Sequence, residues 1–79
     1  MEIKILGGGC ANCKRLEKNT IEAVSELNLN ATVLKVEDFQ EIMRYGVMRT
    51  PALVVDKKVV SSGKVLSSEE VKALLIQPV

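Results

Sequence analysis

The chain reads as an α/β domain with element order β-α-β-α-β-β-α, built on a mixed four-stranded sheet flanked by helices on both faces. Three observations lead there. Four short stretches, near residues 3–6, 31–36, 52–55 and 59–62, carry the β-branched or near-continuous apolar pattern of strands. Between and after them lie segments whose apolar residues recur at helical spacing. A strand–helix–strand unit comes first, and a helix and an antiparallel hairpin follow it.

Each element has its own signal. Ile3, Ile5 and Leu6 form a first strand that ends at Gly7-Gly8-Gly9, a flexible turn. From Ala11 to Leu27, the residues Leu16, Ile21, Val24 and Leu27 form the stripe of an amphipathic helix, closed by Asn28 and Asn30. Ala31–Val36 is β-branched and part-alternating, hence a second strand. Asp38, with Glu41 three residues on, resembles a capping box. It opens a short helix over Phe39–Tyr45 with Phe39, Ile42 and Met43 on its apolar face and Gly46 as its left-handed terminus. Ala52–Val55 is an unbroken apolar run, as expected of a strand buried on both faces. A tight polar turn at Asp56-Lys57-Lys58 leads into an edge strand, Val59–Ser62, ending at Gly63. Ser67, with Glu70 three residues on, caps a last helix with Val71, Leu74 and Leu75 inward, and Pro78 stops it.

Composition bounds the function. The 79 residues make one domain, 1–79, and 47% of them are apolar. Phe39 and Tyr45 are the only aromatic residues, so the core is aliphatic. A net charge of +1 with acids and bases interspersed lacks the one-sided basic field that nucleic acid requires. No run approaches the roughly 20 apolar residues of a membrane span. The opening Met1–Leu6 is too short and too charged for a secretory signal, so a cytoplasmic protein without membrane association is expected.

Cys10 and Cys13 carry the chemistry. A disulfide between them closes so short a loop that its chain-entropy contribution is small, so the pair is there for another reason. At a helix start, Cys-x-x-Cys sets its two sulfurs one turn apart on one side. Cys13 precedes Leu16 by three and begins the buried stripe, while Cys10 stands at the boundary of the glycine turn, open to solvent. One exposed and one shielded thiol suits exchange: the first attacks a partner disulfide and the second breaks the mixed intermediate. Backbone N–H groups and the helix dipole favour a thiolate at Cys10, with a weak further contribution from Lys14 and Arg15. Four other readings remain at this point. They are a structural disulfide, half of a zinc site that lacks any histidine, and a Cu(I) or Zn(II) carrier using the two thiolates or a redox-inert binding module. Copper-carrying domains of this kind run β-α-β-β-α-β and end in a strand, whereas Ser67–Ile76 reads as a terminal helix.

The second half carries a resemblance. Tyr45-Gly46-Val47-Met48-Arg49-Thr50-Pro51 and the run Ala52–Val55 resemble the thioredoxin segment that bears the cis-proline and the buried strand after it. Gly63 and Leu66–Val71 are similar to that family's glycine after the edge strand and its last helix. With Cys10-Ala11-Asn12-Cys13 after the first strand, the likeness spans nearly the whole chain and matches the minimal, glutaredoxin-like core found in small prokaryotic redox-active disulfide proteins. It implies a thioredoxin-like fold and a protein-disulfide reductase with Cys10 and Cys13 catalytic. Pro51 would be cis and packed against the disulfide, Thr50 would bind an extended substrate strand through its backbone, and Gly63 would admit that strand to the rim. It further implies no cofactor beyond the Cys10–Cys13 disulfide, a protein disulfide substrate, an upstream disulfide reductase and a monomer. The chain departs from thioredoxins at Gly9, where many have Trp, at Ala11-Asn12, and at Lys4, where a buried acid is usual. Ser61-Ser62-Gly63-Lys64 and Ser67-Ser68 match glutaredoxin's glutathione-binding residues poorly, so glutathione binding is not implied.

Overall fold

The computed structural model describes residues 1–76, which leaves the Pro78 stop outside the described residues. The elements are β1 (Glu2–Leu6), α1 (Ala11–Glu26), β2 (Thr32–Val36), α2 (Phe39–Arg44), β3 (Ala52–Val55), β4 (Lys58–Ser62) and α3 (Ser68–Leu75). The order β-α-β-α-β-β-α is the one read from the sequence.

The sheet runs β2-β1-β3-β4. β1 pairs parallel with β2 and antiparallel with β3, and β3 pairs antiparallel with β4. Alternation along β1 and β3 divides the core. Ile3, Ile5 and Leu53 meet Leu16 and Ala23 of α1 and Val71 and Leu75 of α3 on one face. Leu6, Ala52 and Val54 meet Ile42 and Val47 beneath α2 on the other. Both central strands are covered on both sides, which explains the unbroken run Ala52–Val54, buried throughout. No helix among the described residues is long and apolar enough to cross a membrane.

Four details differ from the sequence reading. Ile21 is 51% exposed, and the buried stripe of α1 is Cys13, Leu16, Thr20 and Ala23. At about 100° per residue, Thr20 falls under Leu16 while Ile21 swings to the side. Thr20 is accommodated because its hydroxyl donates to the Leu16 carbonyl at 2.8 Å. Phe39 and Met43 also leave the core, at 71% and 50% exposed, so Ile42 alone anchors α2. The box at Asp38 is half formed: Asp38 accepts from the Gln40 N–H, but Glu41 turns outward to Arg44 at 2.8 Å. The Gly7–Gly9 stretch, finally, is no uniform flexible turn. Gly7 is buried and extends the ladder, its N–H donating to the Val36 carbonyl at 2.9 Å.

Candidate active site

Cys10 is the N-cap of α1. Its backbone is extended (φ −70°, ψ 166°), and its sulfur accepts the Cys13 backbone N–H at 3.2 Å. The first turn contains no acidic residue, so the positive end of the helix meets the Cys10 sulfur unopposed. One turn on, Cys13 is 2% exposed, and its sulfur lies 2.7 Å from that of Cys10. Both cysteines are free thiols.

The two sulfurs titrate in opposite directions. Cys10 is held below the ordinary thiol range, first by the hydrogen bond from the Cys13 side chain and then by the Cys13 backbone N–H. Burial pushes Cys13 above that range, and its hydrogen bond to Cys10 pushes it further. The leading causes all lie inside the Cys10–Cys13 turn, and neither Lys14 nor Arg15 is among them. When the pair loses its first proton, the negative charge therefore forms on the open sulfur, and the proton that remains sits on the buried side.

Gly7 makes room for this arrangement. A Cβ on Gly7 would collide with the Cys13 sulfur, and it would stand 3.2 Å from Cys13 Cβ and 3.8 Å from Thr50 Cβ. The missing side chain lets the end of β1, the buried sulfur and Thr50 close on one another. The sequence reading did not single out Gly7 among the three glycines. The signal was there in the run itself, since a turn alone does not require its first glycine to sit where the strand still continues.

The remaining candidates gather at the same end of the sheet. The Thr50–Pro51 bond is cis, as the resemblance implied, with Pro51 buried and Thr50 exposed. Gly63 donates its N–H to the Pro51 carbonyl at 2.9 Å and has φ +72°. A Cβ there would press on Arg49 Cβ at 3.0 Å, so Gly63 lets β4 end tightly against the Arg49–Pro51 loop. Lys4, in place of the usual acid, is tied up elsewhere. Its ammonium donates to the Tyr45 hydroxyl at 2.9 Å and lies 3.6 Å from Glu2, and both contacts raise its pKa, Tyr45 the more. Tyr45 closes α2 as its C-cap and holds the Lys4 cation, whose ammonium stands 5.6 Å from the centre of its ring.

Comparison with known proteins adds an independent line. The family model for the thioredoxin domain matches residues 1–76. A thioredoxin from Methanothermobacter thermautotrophicus is 44% identical over 75 residues, which span 95% of this chain and 97% of the relative. A thioredoxin from Methanocaldococcus jannaschii is 40% identical over 70 residues, 89% of this chain and 80% of that one.

Proposed function

This chain belongs to the thioredoxin domain family and is a thiol–disulfide oxidoreductase, and we propose that it reduces protein disulfides with Cys10 attacking and Cys13 resolving. The observation that carries the assignment of roles is the unlike pair: an exposed sulfur at a helix tip with its pKa lowered, 2.7 Å from a buried one with its pKa raised.

The Cys10 thiolate attacks one sulfur of the partner disulfide. That S–S bond breaks, and the displaced sulfur leaves as a thiolate that takes up a proton. Cys13 then gives up its proton and attacks the Cys10 sulfur, which releases the second partner sulfur as a thiolate. Two electrons and the proton that Cys13 held have passed to the partner, solvent protonates the remaining thiolate, and the chain is left with a Cys10–Cys13 disulfide. An upstream disulfide reductase returns the electrons, and the cycle needs no group beyond these sulfurs. The short S···S separation supports the second step, because the resolving sulfur is already within reach of its target.

Thr50, Pro51 and Gly63 receive the partner chain. Thr50 is exposed in the loop that enters β3, where an extended backbone can hydrogen-bond it as an added strand. Gly63 leaves the neighbouring rim low.

The test is alkylation by iodoacetamide near neutral pH, mapped by mass spectrometry, followed by a Cys13→Ser trap. Cys10 should be modified far faster than Cys13, and the variant should hold a disulfide substrate on Cys10 as a stable adduct. Equal reactivity of the two thiols, with tight Cu(I) binding and no adduct, would replace this reading with a metal carrier.

A further inference from the structure

β4 is an edge of the sheet: among the described residues it pairs with β3 on one side and with no strand on the other. Between β4 and α3 lies a cleft of about 620 Å³ walled by Val60, Ser61, Lys64, Leu66, Leu74 and Ile76. We infer that this flank docks an extended, acidic segment of a partner protein. The segment adds to β4 as a fifth strand, sets one apolar side chain in the cleft and meets the lysines at its two ends with carboxylates.

The backbone is the first argument. An edge strand offers a row of N–H and C=O groups, and a chain that joins it turns every second side chain to one face. The pairing of β4 with β3 shifts between Leu53 and Val54, so Val60 has no partner across the ladder. Both Val60 and Ser61 consequently line the cleft, although they are neighbours in the chain. The kink at such a bulge resists continuous sheet growth, and a short segment suits it.

Apolar surface is the second. Leu66 is buried, Val60 and Leu74 are half-buried, and Ile76 is 63% exposed. Val60 and Leu74 already pack on the core formed by β1, β3, α1 and α3, so an apolar side chain entering here extends that core.

The third argument is charge, and it selects the occupant. Lys58 opposes Val55, which packs on the α3 side of the sheet, so Lys58 stands at one end of this face and Lys64 at the other. Lys57 is next to Lys58 in the hairpin turn. None of the three forms an ion pair among the described residues. Glu70, the acid on the cleft, already accepts the Ser67 N–H at 3.0 Å. Carboxylates on a visiting segment therefore meet cations that the chain leaves unanswered. A second copy of this chain instead brings the same three lysines to the same edge, which is how edge strands resist self-pairing. Four residues of strand span about 13 Å, the length of β4, so acids four apart reach both ends with an apolar residue midway.

This surface goes beyond disulfide exchange. The added strand lies three strand spacings from β1, about 14 Å, and leaves Cys10 open while the partner is held.

The test titrates the full, reduced chain, labelled with nitrogen-15, with the capped peptide Ser-Glu-Thr-Leu-Thr-Glu-Ser and follows the backbone amides by NMR. Shifts should concentrate in β4 and along α3, with Cys10, Cys13 and Thr50 unmoved. Serine in place of the leucine should weaken binding about tenfold, the value of partly burying that side chain. Lysine in place of both glutamates should weaken it about fivefold, a ratio that fades in high salt. The Lys58→Gln, Lys64→Gln double variant should bring the glutamate and lysine peptides within about twofold of each other. Methylating alternate peptide nitrogens should abolish binding for one of the two possible sets. Saturating peptide should leave the rate of hydroxyethyl disulfide reduction unchanged. No binding at millimolar peptide would overturn the proposal, as would equal affinity for the serine peptide or binding that survives both methylated sets. Shifts centred on Cys10 and Thr50, or slowed reduction, would move the segment onto the exchange site and overturn it too. So would a wild-type dimer in sedimentation that the double variant tightens, which would make the edge a contact between copies. Each binding result stands whether or not the chain exchanges disulfides.

Discussion

The N-termini of α1 and α3 are built on the same backbone and do opposite work. Cys10 and Ser67 cap their helices with nearly identical dihedrals, φ −70°, ψ 166° and φ −72°, ψ 164°. Each accepts the backbone N–H three residues on, at 3.2 Å and 3.1 Å. In each, the side chain at that third position reaches back toward the cap: the Glu70 carboxylate to the Ser67 N–H at 3.0 Å, the Cys13 sulfur to the Cys10 sulfur at 2.7 Å. At α3 the Ser67 and Glu70 N–H groups both meet oxygen, and Glu69 and Glu70 answer the helix dipole, so the end carries no reactive group. At α1 the cap is sulfur, a weak acceptor unless ionised, and no acid shares the field. The helix end capped by sulfur, with no acid beside it, is the one that favours a thiolate. The same local geometry gives a fastening or a nucleophile according to which element occupies two side-chain positions.

Swapping those positions tests the comparison. The largest effect is expected from Cys10→Ser, which turns the reactive cap into the inert one. Disulfide reduction should vanish, while the denaturation midpoint stays level or rises relative to the reduced wild type, because serine is among the favoured caps. A fall of several degrees would mean that the thiolate itself secures α1. Cys13→Ala comes next. It removes the largest cause of the low Cys10 pKa, so that pKa should rise, and the pH midpoint of Cys10 alkylation should move upward with it. An unmoved midpoint would assign the lowered pKa to the backbone alone. Gly7→Ala should destabilise the reduced fold by about 1–3 kcal/mol through overpacking and narrow the difference in alkylation rate between the two cysteines. Ser67→Ala should cost about 1 kcal/mol in urea unfolding and leave the alkylation profile untouched. The smallest effect is on pH. The folded state lowers the Glu70 pKa, chiefly through the Ser67 N–H and then its hydroxyl. This contribution is complete above the unfolded carboxylate value and is lost as pH falls through the folded one. Acid should therefore loosen α3, and Glu70→Gln should flatten that part of the stability curve.

The fold and the central pair were legible in the sequence because local rules and tertiary demands agree there. Ile3 and Ile5 alternate as strand residues, Leu53 lies within an unbroken apolar run, and all three are buried. Ser67 and Glu70 announce a box and form one. What was not legible needed three-dimensional neighbours. Phe39 has the composition of a core residue, but α2 has only one and a half turns and one residue deep enough to anchor it, so its aromatic side chain is left on the rim. Glu41 stands where a box wants it, yet Arg44 competes for its carboxylate. Gly7 shows its role only once Cys13 folds back over the end of β1. Thr20 looks polar and is wholly buried, because the helix supplies its own acceptor one turn back.

The hairpin between β3 and β4 turns at Asp56 and Lys57, both left-handed, with φ +47° and +70°. Aspartate tolerates that region, whereas a long side chain such as lysine occupies it at a cost of about 1 kcal/mol or more. Asp56 has a second task, since its carboxylate accepts the Glu2 N–H at 2.9 Å; Lys57 has none of this kind. Placing glycine at position 57 would relieve backbone strain at the tip opposite the sulfurs, so the molecule carries an untapped margin of heat resistance that can be drawn on without touching its electron chemistry.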